Sequence, residues 1–257
     1  MLTEEGDYIS NLTAPDLRPY FKHLHWRKMP HSMGHLVASD WADKPDEDPV
    51  FGLYKNCGLW TRDEAAILYN VAKEWDGGDV LDIGAHTGWT TGHLLAAGCL
   101  STGVDPMLRI QGFHDRFMAN TTAWYSNLKS ISWKTSSEYF EAEDMLERDQ
   151  QDGPFGLVVI DGDHEPGMPL LDAQNAVKHL TDPGVILFHD GIGRPVREAV
   201  TWLLDQGFKA RCYWTPHIVF ACWRGDFTPP VHQADPRIDW TAHRAEMWND
   251  FDFGRLS

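Results

Sequence analysis

Between Val158 and Pro166 the chain reads VVIDGDHEP, so that an apolar run breaks into Asp161, Asp163, His164 and Glu165. Like charges this close repel one another. Solvent can relieve that, a cation can, or a reaction can use it. A second short run, GVILFHDG, ends in His189 and Asp190. Carboxylates and imidazoles at the ends of apolar runs suit proton transfer, where a positioned base takes a proton from a poor nucleophile such as an alcohol. They also suit a hard divalent cation, which prefers carboxylate oxygens and lowers the pKa of a bound hydroxyl.

A third run, VLDIGAHTGWTTGHL, places Asp82, Gly84 and Gly88 at a strand-to-helix turn. Gly84 lets the backbone turn sharply and lets a ligand come close. The helix beginning near Trp89 points its free N–H groups at whatever binds there. Asp105 ends the next strand, STGVD, at the offset where an acid can accept hydrogen bonds from ribose hydroxyls. NAD-binding and nucleoside-binding folds both use such a turn, and a structural tight turn looks the same. The full G-x-G-x-x-G pattern is absent, since His86 stands at the middle glycine.

These residues need elements to hold them. TRDEAAILYNVAKEW predicts a helix from Thr61, with Glu64 three residues later completing a capping-box pattern. Strands are expected at DVLDIG, STGVD, Ile131–Trp133, FGLVVID and GVILFHD. Helices are expected at Trp89–Ala97, up to about Trp124, and over Ser137–Arg148, Leu170–Leu180 and Pro195–Leu204. FKARCYWTPHIVFACWRG reads as a hairpin split at Pro216 and His217. Short apolar strands alternating with helices imply an α/β fold with a doubly wound, mostly parallel sheet. Ligands on such sheets sit beyond the carboxyl ends of the strands. Here those ends are Asp82, Asp105, Asp161 and Asp190, and such a rim of acids looks like a site.

Residues 1–58 lack steady periodicity and read as an irregular extension, a lid or acceptor-pocket element. Residues 59–225 read as the α/β domain and 226–257 as a tail. The 257 residues carry a formal net charge of -16, which argues against non-specific binding to nucleic acid or to an anionic membrane. Neither a signal peptide nor a membrane-spanning run is evident, and the four cysteines form no CxxC pair. A cytoplasmic protein with reduced thiols is therefore expected. Cys212 and Cys222 are expected in the core, facing one another across the hairpin. The histidines at 23, 25, 31 and 35 fit no zinc spacing and are expected on the surface or lining a pocket.

Together VLDIGAHTGWTT, GVDP, VVIDGDHEP, GVILFHDG and the hairpin resemble a class I S-adenosylmethionine-dependent methyltransferase. The nearer likeness is to methyltransferase family 24, with its metal-dependent macrolide sugar O-methyltransferases and cephalosporin-hydroxylase-like proteins. It covers about Leu59 to Gly225 and implies a seven-stranded Rossmann-like sheet whose last strand is antiparallel. It also implies that Asp82 and Gly84 hold the methionine end of the cofactor, with His86 and Gly88 alongside, and that Asp105 holds the ribose. Ser137 would border the adenine, and Asp161 would touch both cofactor and acceptor. In the resembling sugar enzymes the acids matching Asp161 and Asp190 hold magnesium, and a histidine matching His164 is the base. This chain has His189 where those relatives have a carboxylate. Imidazole suits manganese, iron or zinc better than magnesium, so three readings stay open: His189 is a residue behind the site, the metal differs, or there is no metal.

The reading is an O-methyltransferase acting on a hydroxyl of a small molecule or sugar, assisted by magnesium or manganese. A metal-dependent hydroxylase of the same fold, or an S-adenosylmethionine-binding protein without turnover, are the alternatives. Asp163 and Glu165 read as solvated turn acids, and His164 has a turn-residue reading beside its role as base. The acceptor stays open, as does the oligomeric state, a homo-oligomer included.

Overall fold

The structure is a computed structural model, and it describes residues 8–21, 24–28, 33–39, 57–146, 151–243 and 245–257. Two sheets build it. The larger has seven strands: β4 (Asp79–Ile83), β5 (Leu100–Val104), β6 (Leu128–Ser132), β7 (Phe155–Ile160), β8 (Leu180–Phe188), β9 (Lys209–Tyr213) and β10 (Val219–Arg224). Their order is β6-β5-β4-β7-β8-β10-β9. β10 runs antiparallel to both neighbours, while β4, β5, β6, β7 and β8 are parallel. The chain leaves β4 toward β5 and later returns to β7 on the other side, which opens a crevice at the carboxyl end of β4.

The smaller sheet corrects the sequence reading. The described part of the N-terminal region contains β1 (His25–Lys28) and β2 (Leu36–Ser39), which pair antiparallel with each other and with β3 (Cys57–Thr61). These strands are only four or five residues long, too short to show an alternation. The division at 58/59 falls inside β3. Of the N-terminal histidines, His25 is exposed and His35 is buried, while 23 and 31 lie outside the described residues, as does the loop-like stretch 40–49.

Helices α1 (Arg62–Ala72), α2 (Trp89–Ala96), α3 (Gln111–Thr121), α4 (Ser136–Asp144), α5 (Met168–His179) and α6 (Arg194–Asp205) lie close to the predicted spans. The predicted capping box is present: the Thr61 hydroxyl accepts from the Glu64 N–H, and the Glu64 carboxylate accepts from the Thr61 N–H. β7 is buried at all six positions, as a central strand covered on both faces must be. Its residues divide by parity. Leu157 and Val159 pack with Val185 and Leu187 of β8 and with Leu68 and Val71 of α1. Val158 and Ile160 pack with Ile186 and Phe188, with Ala173 of α5 and with Val200 of α6. In the hairpin Cys212 lies opposite Phe220 and Cys222 opposite Ala210, so the two thiols are not directly across from one another, and neither forms a disulfide.

The ends of the chain are part of this structure. Leu12, Leu17 and Phe21 join the core on the α1 face, while Met247 and Phe251 join the opposite one. The Tyr8 hydroxyl donates to the Gln233 carbonyl at 2.9 Å and Asn11 donates to the Val231 carbonyl at 2.7 Å. Buried His35 meets buried Asp235 at 3.1 Å, and His232 meets buried Asp63 at 2.7 Å. No described helix is long and apolar enough to cross a membrane.

Removing one partner of a buried hydrogen bond leaves the other group unsatisfied, at a cost of about 1–3 kcal/mol. Asp235→Ala strips buried His35, and Arg237 with it, of a carboxylate partner and should lower the unfolding free energy by about 1–3 kcal/mol. Urea denaturation monitored by tryptophan fluorescence measures it, and an unchanged midpoint would show that this contact does not hold the ends together.

Candidate active site

Asp82, Asp105, Asp161 and Asp190 all come to the carboxyl edge of the large sheet, at or just beyond β4, β5, β7 and β8. Hydrogen bonds bind these ends together. Gly84 N–H donates to the Val104 carbonyl at 2.9 Å, Asp161 N–H to the Ile83 carbonyl at 2.9 Å, and His189 N–H to the Ile160 carbonyl at 3.2 Å. Gly84 has φ +91°, and a Cβ there would lie 2.1 Å from the Asp161 carbonyl oxygen. Only glycine fits this crossing.

The β4–β5 side is closed around two acids. Asp82 is fully buried, and its Oδ2 accepts from the Thr91 hydroxyl at 2.5 Å and the Thr90 hydroxyl at 2.7 Å. Its Oδ1 is buried with no protein partner, so one acceptor atom remains for a ligand. Asp105 accepts from His86 N–H at 2.8 Å and from Met107 N–H at 2.7 Å, one on each oxygen. Each oxygen keeps a second lone pair, so the acid can still receive a hydroxyl. His86 has φ +45°, and its ring packs edge-on to Phe113 at 5.0 Å. Gly88, at φ +90°, opens α2 with no side-chain cap. Ser137 is half-buried at the start of α4, while the neighbouring Ser136 hydroxyl turns inward to Asp172 at 2.5 Å.

The β7–β8 side gathers the second group. His164 Nε2 is 4.0 Å from Asp161 Oδ1 and 3.6 Å from Asp190 Oδ2. These three side chains offer ligand atoms within 4.8 Å of one another, all partly open to solvent. His189 takes another place. It is buried and stacked on Trp60 at 4.5 Å. Its Nδ1 lies 3.1 Å from Asp161 Oδ1 and 3.4 Å from Asp190 Oδ2, while Nε2 faces Glu64 Oε2 at 3.4 Å. His189 therefore reaches the rim acids from behind and groups with Glu64 and His217. Asp163 caps its own turn, accepting from Glu165 N–H at 2.9 Å.

The charges interlock. Burial would push the Asp190 carboxyl up, but His189 above all, with His217 and His164, holds it down to about 2. Burial would likewise lower the His189 pKa, and Asp161 and Asp190 instead raise it well above the usual imidazole range. Burial also opposes ionisation of Glu64, yet His217 and His189 hold its carboxyl well below the usual range.

Three residues of this arrangement escape sequence reasoning. The Trp60 indole donates to Asp161 Oδ2 at 2.6 Å. Glu64 reads in sequence only as a capping residue, and His217 only as part of a hairpin turn. No local pattern could reveal them, because α1, β8 and the hairpin meet only in the folded sheet. Backbone strain marks the same rim: besides His86, Asp190 and Ile218 have positive φ, at +53° and +59°. For a β-branched residue such as Ile218 that is an outlier.

A seven-stranded sheet in this order, with acids and a glycine turn at its switch point, is the fold of class I methyltransferases. Residues 81–191 match the family model described as a methyltransferase domain, which bears out the likeness read from the motifs. The search of curated proteins finds no match. Among solved structures, the chain resembles the O-methyltransferase TomG from Streptomyces achromogenes, involved in tomaymycin synthesis and solved with SAM. That likeness has a TM-score of 0.52 at 13% identity, over 64% of this chain and 81% of that one. Cofactor-bound Rv0187 from MTB aligns with a TM-score of 0.50 at 15% identity, over 71% and 84%. Precorrin-6y C5,15-methyltransferase from Geobacter metallireducens aligns with a TM-score of 0.50 at 13% identity, over 65% and 91%. At these identities the likeness is one of fold.

Asp82 generates a pH dependence. Burial, reinforced by Asp161 and Asp105, pushes its carboxyl from 3.8 up to about 7 against the bonds from Thr91 and Thr90. Between those values the folded protein keeps a proton that the unfolded chain has released. Stability therefore falls as pH rises through that window and levels off above it. At about 1.36 kcal/mol per pKa unit, the loss is at most about 4 kcal/mol. Urea titrations of the ligand-free protein should show this slope, and Asp82→Asn should flatten it and be more stable than wild type at alkaline pH.

Proposed function

We propose that the protein moves a methyl group from S-adenosylmethionine to a hydroxyl of a small molecule or sugar. One observation carries the reading: the crossing of Gly84 over Asp161. It sets the Asp82–Asp105 half of the rim directly against the Asp161–His164–Asp190 half. A donor bound at the first half and an acceptor at the second would meet there. S-adenosylmethionine supplies an electrophilic methyl on a cationic sulfur, which an acidic rim attracts.

The residues fit that cofactor. The orphaned Oδ1 of Asp82 and the glycine turn at Gly84 suit its methionine end. Asp105 is the acceptor for the ribose, and half-buried Ser137 borders the adenine side. Gly88 leaves the first N–H groups of α2 uncapped, and His86 packs beside them. A divalent ion also fits: Asp161 and Asp190 would hold it, and its chemistry would be to lower the pKa of the acceptor hydroxyl. Two carboxylates suit a hard ion such as magnesium or manganese.

His164 is the base in this reading. It is about one-third exposed and flanked by both acids. Its Nε2 takes the acceptor proton, and Asp161 and Asp190 stabilise the imidazolium that results. Trp60 and His189 hold the Asp161 carboxylate in place from behind. A binder without turnover has no use for this second group.

Calorimetry should detect S-adenosylmethionine binding and no NADH binding, and Asp105→Ala should weaken it by about 1.5–3 kcal/mol. NADH binding without S-adenosylmethionine binding would discard the assignment. With an acceptor in hand, His164→Ala should lower kcat by about 10²–10⁴-fold with cofactor affinity nearly unchanged. Near-normal turnover would reduce His164 to a turn residue. Chelator should remove activity and manganese or magnesium restore it; full activity in excess chelator would rule out the ion.

A further inference from the structure

Behind the rim lies a second cluster that the methyl-transfer reading does not use as a site. Glu64 comes from the first turn of α1, His189 from the end of β8, and His217 from the turn between β9 and β10. All three are buried, Glu64 completely. Three nitrogens surround one carboxylate oxygen, Glu64 Oε2: Thr61 N at 2.7 Å, His217 Nδ1 at 3.0 Å and His189 Nε2 at 3.4 Å. The other oxygen accepts from His217 N–H at 3.0 Å.

A carboxylate oxygen offers about two lone pairs in its plane. Three donors exceed that number. The 3.4 Å separation is also longer than the roughly 2.7–3.2 Å of an N–H···O bond. One cation placed among Oε2, His189 Nε2 and His217 Nδ1 resolves both points. It uses one lone pair of Oε2 and leaves the other to Thr61 N–H. Bonds of about 2.0–2.2 Å in a tetrahedral zinc site put neighbouring ligand atoms about 3.3–3.6 Å apart. The 3.4 Å from Glu64 to His189 falls in that range, and the 3.0 Å to His217 is a few tenths of an ångström shorter.

The far side of His189 agrees. A histidine bound to metal through one nitrogen almost always donates its other N–H to a carboxylate or carbonyl. Here the other nitrogen, Nδ1, lies 3.1 Å from Asp161 Oδ1. We propose that Glu64, His189 and His217 bind a divalent ion of the zinc class inside the protein, with Asp161 as the outer carboxylate that orients His189. Two imidazoles and one carboxylate select such an ion over magnesium. The ion staples α1, β8 and the hairpin behind the rim. It is a different site from the partly open Asp161–His164–Asp190 group, and it does not depend on the methyl-transfer reading.

The test is metal content by mass spectrometry on protein produced with added zinc, then cobalt(II) titration of the metal-free protein read by visible absorption. Wild type should retain about one ion per chain and give the intense bands of low-coordinate cobalt. Glu64→Gln keeps a capping-box residue at the start of α1, and circular dichroism checks the fold. It should bind cobalt at least about 100-fold more weakly, beyond the ~10–100-fold cost of an outer-shell change. His217→Ala should do the same. Asp190→Asn, altered on the rim, should keep the bands. Wild type with neither zinc nor cobalt bands overturns the site. Wild-type affinity in Glu64→Gln overturns it too, as do bands lost in Asp190→Asn but kept in Glu64→Gln, which would put the ion on the rim. If His217→Ala fails to fold, the wild-type spectrum and Glu64→Gln still decide. No cofactor or acceptor enters the experiment, so its failure leaves the methyl-transfer reading untouched.

Discussion

Asp161 is the point on which the site depends. Its backbone N–H extends the β4–β7 pairing, and its carbonyl occupies the space that a side chain on Gly84 would need. Its carboxylate receives the Trp60 indole on one oxygen and faces His189 on the other. One residue thus joins the central strand pair, the N-terminal sheet and the end of β8. Moving it would shift the glycine turn and the rim acids together. Close-packed interiors transmit such displacements rather than absorbing them.

A second constraint is the burial of charge. The chain carries a formal net charge of -16, and several of its acids are buried. Leaving such groups unpaired would cost several kcal/mol each. The protein meets this with imidazoles: His35 on Asp235, His232 on Asp63, and His189 and His217 on Glu64. Histidine suits the task because its ring packs as an aromatic while its nitrogens donate. Trp60 stacked on His189 at 15° uses both properties at once. Asp82 and Asp172 are handled differently, by threonine and serine hydroxyls without a bonded imidazole, and burial raises their carboxyls to about 7 and about 6.

The α/β core was legible because its signals are local. The continuous apolar run of β7 and the capping box of α1 each follow from a few adjacent residues. So do the glycine at the β4 turn and the acids at the strand ends. Connection rules then leave few ways to arrange such elements. The N-terminal sheet was not legible, since β1 and β2 are held by pairing with β3 across the sequence rather than by a pattern of their own. The tail was read as separate because nothing local in residues 245–257 shows that Met247 and Phe251 enter the core.

The site divides the same way. The sequence by itself determined which residues stand at the rim, because a residue that ends a parallel strand is carried there by the strand. Asp82, Asp105, Asp161 and Asp190 needed only the strand ends to be recognised. What lies behind the rim was decided by tertiary structure alone. His189 and Asp190 are neighbours in sequence, yet His189 is buried and stacked on Trp60 while Asp190 stays partly open to solvent. Glu64 meets His189 across 125 residues and His217 across 153. Such contacts are set by how helices and strands pack, and no spacing along the chain encodes them.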